Sequence, residues 1–308
     1  MSSSLLAVEL DVIAAEEWIR KHVEPAGPIE TTHDRPWATV MRVPIVGGVT
    51  WFKACAPVQA FEPRLTAQLY ARWPDRVTEV VAVDEARRWL LLGDAGVAVG
   101  EQGNPPEAWL KALPLYAELQ KGEAAHALEH IAHGVPDLRM AALPAGYERL
   151  RAGELPLATH EVNRLRDYAP RFTELCTALA RLGIRESVQH DDLHMNNLFS
   201  DVGKLRVVDW GDASIAHPFF SLVVTFRFLE ELNHLAPDDP RFRRLRNAYL
   251  EPWGSGREET FEIAIRVGSF VHAIAWTRQR AALPVEARPE FDKAFAIILR
   301  RAVAQTRV

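Results

Sequence analysis

Two hydrophobic periods divide this chain. A first helix is predicted over residues 11–23, ended by Pro25-Ala-Gly-Pro28. Short apolar–polar alternations at residues 28–30, 36–43, 49–54, 78–83 and 88–92 read as strands. Thr31-Thr-His-Asp-Arg35 reads as the connector between the first two, and Gly47-Gly48 as a hairpin turn. One helix interrupts the strands at residues 61–73, with Pro63 in its first turn. After Pro105-Pro106 the pattern turns helical: residues 109–120, with Pro114 marking a kink or a new start, then 124–132. Residues 160–182 carry the stripe Phe172, Leu175, Cys176, Leu179 and Leu182 and read as one long helix. Residues 222–232 and 261–279 follow, and Phe291, Ala294, Phe295, Ile298 and Leu299 mark a last helix. There is no internal repeat.

This order predicts an α+β chain of two lobes. An N-terminal lobe, antiparallel sheet plus helices and expected to bind a nucleotide, takes residues 1–97. A hinge lies near 93–104, and a mainly α-helical lobe fills residues 98–308. At 308 residues each part is long enough to bury a core. The net charge of −5 lacks the basic excess expected of a nucleic-acid binder. The best membrane candidate, residues 263–276, is interrupted by Arg266 and His272. Met1-Ser-Ser-Ser-Leu-Leu6 lacks the basic-then-apolar form of a signal peptide. Cys55 and Cys176 sit far apart in apolar surroundings and read as buried thiols, which suits the cytoplasm.

One island breaks the helical half. Ser187-Val-Gln reads as a strand, residues 197–200 and 205–208 as a hairpin around the turn 201–204. Between them stands His190-x-Asp192-x-x-x-x-Asn197, and after the hairpin Asp209-Trp210-Gly211. That is the form of a phosphotransfer loop followed by a metal-binding segment. The spacing lets one carboxylate, Asp192, meet an attacking hydroxyl. The hairpin returns a second carboxylate, Asp209, beside the Asn197 amide, where both can reach Mg²⁺. Asp192 and His190 are the candidate catalytic residues, His190 as a brace for the loop. A metal-dependent hydrolase is the competing reading, since His190, Asp191, Asp192 and His194 are all metal-ligand types. Its usual helical setting is missing here.

The small lobe supplies matching parts. Lys53 ends an apolar strand flanked by Trp51, Phe52, Ala54 and Cys55. A bare ammonium there would be costly, so a partner is required. Glu62, at the start of the next helix, is the candidate; a carboxylate favoured by the helix dipole is the plainer explanation. Gly93-Asp94-Ala95 offers hinge backbone to an adenine edge.

Taken together these residues resemble the aminoglycoside phosphotransferase family, which includes choline, fructosamine and other small-molecule kinases of protein-kinase-like fold. The element order matches over residues 28–299; only the two central motifs are specific. The resemblance implies ATP and Mg²⁺ as cofactors, Asp192 as base, Asn197 and Asp209 as metal ligands and Lys53 as the phosphate-binding lysine. Three departures stand out. Asp191 replaces the usual glycine of H-G-D. His217 and Ser221 replace two acidic residues of G-D-P-x-x-D-L. No G-x-G-x-x-G lies in residues 31–37, which leaves Thr31, Thr32 or Arg35, with backbone amides, to cover the phosphates.

A protein kinase is disfavoured because only residues 211–221 separate the metal aspartate from the next helix. A pseudokinase acting as an interaction module would lack the lysine, base or metal aspartate, and all three are present. The expected partner is therefore a small hydroxylated acceptor. Asp191, Asp212, Glu230 and Glu231 favour a cationic one; neutral sugars would instead use Trp210, His217 and Trp276.

Overall fold

The computed structural model describes residues 10–201 and 204–307. Helix α1 (Val12–His22) is capped by Asp11, whose carboxylate accepts from Ala14 N–H. Strands β1 (Glu30–Arg35), β2 (Ala38–Ile45) and β3 (Gly48–Cys55) follow, then α2 (Glu62–Arg72), β4 (Val80–Asp84) and β5 (Trp89–Leu92). They form one antiparallel sheet in the order β1-β2-β3-β5-β4. Lys53 pairs with Val40 on one side and Leu90 on the other, so it lies in the middle of the sheet. On one face Trp18 of α1 meets Phe52 and Trp89 edge-on, at centroid distances of 5.9 and 5.7 Å.

Residues 31–35 are not the expected connector. They are the exposed edge strand β1, and the turn falls at Pro36-Trp37. An edge strand that buries no face carries no apolar alternation, so Thr-Thr-His-Asp-Arg gave no strand signal. The expected turn at residues 201–204 includes two positions outside the described residues, and residues 1–6 lie outside them as well.

The helical half opens with β6 (Val97–Ala98), α3 (Pro106–Glu123), α4 (Ala127–Ala132), α5 (Leu143–Ala152), α6 (Thr159–Asp167) and α7 (Ala169–Arg181). Helix α3 runs through Pro114 without a new start. The single helix expected over 160–182 is two, broken at Tyr168, because Pro170 opens α7 and has no N–H to continue α6. Next come β7 (Ser187–Gln189), β8 (Leu198–Asp201), β9 (Lys204–Val207), β10 (Ser214–Ala216), α8 (Leu222–Asn233), α9 (Pro240–Leu250), α10 (Glu258–Ala282) and α11 (Arg288–Ala304). Helices α5 and α9 have no counterpart in the sequence reading. α9 buries only Leu245, Tyr249 and Leu250 among its arginines, too thin a stripe to register.

Strand β7 pairs with β10, and β6, β8 and β9 form a second small sheet. These strands hold both ends of the loop between β7 and β8. The large core around Trp109, Tyr147, Phe172, Phe261 and Phe270 also takes in Phe61, Leu65 and Leu69 at and along α2. Helix α2 is thus packed into the helical half as much as onto the sheet. No helix among the described residues is long and apolar enough to cross a membrane. Cys55 and Cys176 are buried free thiols.

Candidate active site

Strand β3 is buried along its second half, and this carries Lys53 to 7% exposure. Its Nζ lies 2.7 Å from Glu62 Oε1 and 2.6 Å from Asp209 Oδ1. Burial works against the ammonium, but Asp209 and Glu62 outweigh it and push the Lys53 pKa well up. The same contact, through the Lys53 charge, holds the Asp209 carboxyl below its usual range against the pull of burial. Glu62 is itself buried in the first turn of α2, and Cys55 Sγ donates to its Oε2 at 3.3 Å. Gly211 makes this approach possible: a Cβ there would stand 2.7 Å from Gln59 Nε2 and 2.8 Å from Glu62 Oε2.

The loop after β7 is held from below. His190 N–H donates to Tyr116 Oη and Ser221 Oγ, each at 3.1 Å. Gln120 Nε2 donates to the carbonyls of Val188 and Pro218, both at 3.0 Å. The two departures in the following segment are explained here. Ser221 serves as an acceptor for the loop backbone, and His217 Nδ1 accepts from Phe219 N–H at 3.3 Å, closing the turn an acid would close. Burial pushes the His217 pKa down to about 3, so it accepts as a neutral ring.

His190 Nε2 donates to the Val208 carbonyl at 2.8 Å while its Nδ1 accepts from Asp192 N–H at 3.3 Å. Burial lowers its pKa, which keeps the ring neutral. Both nitrogens are spent, so His190 braces the loop and has no lone pair for a metal. His194 Nδ1 likewise accepts from Asn196 N–H at 3.1 Å. The His/Asp cluster of a hydrolase is therefore not assembled.

Asp192 is about one-third exposed, with Oδ2 3.3 Å from His194 Nε2 and from Asn197 Nδ2. Asn197 Nδ2 also donates to the Asp192 carbonyl at 2.9 Å, which leaves Asn197 Oδ1 as its acceptor. Val208 N–H donates to the Asn197 carbonyl at 3.1 Å, so the next residue, Asp209, stands beside Asn197. An amide oxygen and the second Asp209 oxygen form an all-oxygen donor pair. That suits Mg²⁺, which takes few protein ligands and fills its shell with water and phosphate. Asp191 and Asp209 both adopt left-handed backbone, with φ of 60° and 63°. Aspartate tolerates that conformation, and at Asp191 it is the one a glycine would adopt freely.

The nucleotide-side candidates separate. Gly93 N–H is already bonded to the Glu79 carbonyl at 2.9 Å, and its own carbonyl accepts from Thr78 Oγ1 at 3.3 Å. Asp94 Oδ1 accepts from Gly96 N–H at 3.1 Å and so shapes the turn. Ala95 N–H has no partner among the described residues, which leaves it for a ligand. Thr32 sits at a bulge in the exposed edge strand, and its hydroxyl donates to the Val40 carbonyl at 3.3 Å. Arg35 ends β1 at the Pro36-Trp37 turn, level with Ala38 and through it with Cys55. The structure thus places Arg35 at the exposed end of β1, beside the Pro36-Trp37 turn, and keeps Thr32 in the sheet.

Two residues work here in ways the sequence reading did not reach. Gln59, just after β3, and Gln279 of α10 both donate to Asp212 Oδ1, the first at 3.2 Å. Burial, with repulsion from Asp192, Asp209 and Asp191, pushes the Asp212 carboxyl well above its ordinary range. Arg278 donates to the Val58 carbonyl at 2.7 Å alongside. Asp212 therefore joins sheet and helices. Trp210 and His217, considered for neutral sugars, are buried at 0% and 1%, and Trp276 packs on Phe291 at 4.7 Å.

Comparison with known proteins agrees with this geometry. Residues 79–261, more than half the chain, match the family model described as the phosphotransferase enzyme family. No curated protein matches. Among solved structures, a GDP complex of aminoglycoside 2'-phosphotransferase-IIIa superposes with a TM-score of 0.66 at 14% identity, covering 96% of this chain and 99% of that one. A choline/ethanolamine kinase family protein from Mesorhizobium loti gives 0.61 at 16% identity, covering 95% and 99%. Choline kinase from Cryptosporidium parvum gives 0.64 at 10% identity, covering 96% of each. The fold is thus protein-kinase-like and two-lobed, and the chain belongs to the phosphotransferase enzyme family, whose members act on small molecules.

Proposed function

We propose that this chain transfers the γ-phosphoryl of ATP, with Mg²⁺, to a hydroxyl of a small molecule. The observation that carries the reading is Lys53, fixed between Glu62 and Asp209 at hydrogen-bond distance. With it goes the Asp192–Asn197 loop held beside Asp209. The GDP in the aminoglycoside phosphotransferase complex supports a nucleotide in the same cleft. Residues 1–97 form the nucleotide lobe and 98–308 the acceptor lobe, with 93–104 as hinge.

Lys53 holds the phosphates, and Glu62 keeps it in place. Asn197 Oδ1 and Asp209 would hold Mg²⁺, which neutralises charge developing on the β–γ bridging oxygen when bound. Asp192 orients the acceptor hydroxyl and takes its proton as the new P–O bond forms and the bridging P–O bond breaks, releasing ADP. Ala95 N–H reads the adenine edge. Arg35 and the turn after it cover the phosphates. Two buried thiols suit a cytoplasmic setting. The test is ATP turnover with Mg²⁺ over a panel of hydroxylated acceptors, read by ADP release and ³¹P NMR. Acceptor-dependent ADP and a new phosphate ester are expected. Tight ATP binding with no ester from any acceptor would favour an interaction module instead.

A further inference from the structure

The carboxylates that favoured a cationic acceptor are largely engaged. Glu231 pairs with Arg301, Asp212 takes two amides, and Asp191 faces His272 with 3.2 Å between Oδ1 and Nδ1. A pocket of about 290 Å³ lies between α8, α9, α10 and α11. That is at the small end for a ligand site. Val223, Phe226, Phe242 and Ile265 supply apolar wall; its polar lining is Arg227, Glu230, Ser269, His272, Arg301 and Gln305, with Arg301 already paired to Glu231.

Of these, Arg227 lacks a partner. Arg227 makes no hydrogen bond or ion pair among the described residues, and its Nε is buried with nothing to receive its proton. Its guanidinium carbon lies 4.5 Å from the Phe228 ring. His272 is 5% exposed, and its Nδ1 faces Asp191 Oδ1 at 3.2 Å. A half-buried, unpaired guanidinium is unfavourable unless an anion arrives to meet it. Burial does lower the Arg227 pKa, although Glu231, Asp192 and Asp191 act to raise it.

The pocket also connects to the transfer loop. Thr225 Oγ1 donates to the Leu193 carbonyl at 2.7 Å, fixing α8 against that loop. Phe228, under Arg227, lies 5.1 Å from the His194 ring, which stands 3.3 Å from Asp192 Oδ2. His272 reaches the other side through Asp191. Arg227 is thus linked to Asp192 through Phe228 and His194.

We propose that Arg227 is a specificity-determining residue and that the acceptor is a compact hydroxy acid, its anionic group held by the Arg227 guanidinium with His272 beside it. A planar guanidinium meets a carboxylate through paired, charge-assisted hydrogen bonds, which an amine or a neutral hydroxyl does not offer. This deepens the phosphotransfer reading and rests on it.

The full chain with Mg²⁺ and ATP is assayed on matched triplets: glycerate, glycerol and 3-amino-1,2-propanediol; gluconate, sorbitol and 1-amino-1-deoxysorbitol. The acids should exceed their neutral and amino partners in kcat/KM by about 10- to 100-fold. Arg227→Gln should bring the ratio close to one, mainly through KM for the acid, and Arg227→Lys should restore part of it. Equal or better use of the neutral or amino members, or a preference that survives Arg227→Gln, overturns the proposal while leaving phosphotransfer intact. If no member is phosphorylated, phosphotransfer itself is in question, and the Arg227 Nε–H NMR signal decides the site separately. A shift on adding gluconate and none with sorbitol supports the assignment; no shift with either acid overturns it.

Discussion

Arg72 grips Glu123 with two hydrogen bonds, Nε to Oε1 at 2.7 Å and Nη2 to Oε2 at 2.6 Å, and so ties the end of α2 to the end of α3. Trp73 Nε1 donates to the same carboxylate at 2.7 Å, and His130 Nε2 lies 2.8 Å from it. Glu62 stands at the other end of α2. The helix that positions the lysine partner is therefore anchored at both ends, one in the cleft and one in the helical core. The Lys53–Glu62 pair is thus supported by the packing of α2 at both of its ends.

This anchor should show in acid. Burial opposes the Glu123 charge, but hydrogen bonds from His130, Arg72 and Trp73 outweigh it and hold the carboxyl at about 2. The folded value lies below the unfolded one. The stabilisation is therefore complete above the ordinary glutamate range and is lost as pH falls from about 4.5 to about 2. Its size is on the order of 3 kcal/mol. Glu123→Gln should lower stability at neutral pH and flatten the pH dependence in that window. Urea unfolding of both proteins at several pH values measures it; parallel curves would contradict it.

Asp192 and Asp209 should separate kinetically. Asp209 contacts Lys53, and among the described residues Asp192 contacts Asn197 and His194 of its own loop. Asp192→Ala should reduce transfer by about 10²–10⁴-fold with little change in nucleotide affinity. Asp209→Ala should weaken Mg²⁺-ATP binding as well. Calorimetric titration of nucleotide into each variant, beside its turnover, makes the comparison. Equal affinity losses would remove the division of roles.

Much of this site could be read from the chain because its parts are short-range. Asp192, Asn197 and Asp209 sit on one loop and one hairpin, and Lys53 and Glu62 are nine residues apart on adjoining elements. Such spacings survive any uncertainty about the rest of the fold. Asp212 could not be read in the same way, since Gln59 and Gln279 come from opposite ends of the chain. Gln120 looked like one more polar residue near a helix end, yet it is 0% exposed and bonds two carbonyls under the loop. Its i,i+4 relation to Tyr116 was the available signal. Residues 31–35 read as a connector because an exposed edge strand has the composition of a loop.

Asp191 tests the loop's backbone requirement. At φ 60° an L-residue is strained by roughly 1–2 kcal/mol, less for aspartate and not at all for glycine. Asp191→Gly loses the contact to His272 but gains a relaxed backbone, so its melting temperature should stay close to that of the parent. Asp191→Val should melt clearly lower, because a β-branched residue resists this conformation most. Calorimetric scans of the two variants decide the matter. If valine is tolerated as well as glycine, the loop does not hold this geometry.

Lys53→Met should act on stability and on binding together. Removing the ammonium leaves Glu62, at 1% exposure, facing Asp209 with no cation between them. Breaking a buried pair in this way costs about 3–5 kcal/mol. The carboxylate would take up a proton to escape part of that cost, so the loss should shrink as pH is lowered toward the glutamate range. Glu62→Gln in the Lys53→Met background removes the stranded charge and should recover much of the stability, although neither variant should bind Mg²⁺-ATP normally. In the Lys53 parent the same Glu62→Gln change should be destabilising. The sign of its effect therefore reverses with its partner, and a double-mutant cycle reads that reversal directly. Additive losses in the cycle would mean that the two residues are neighbours without being coupled, and the preformed pair would lose its role in fixing Lys53.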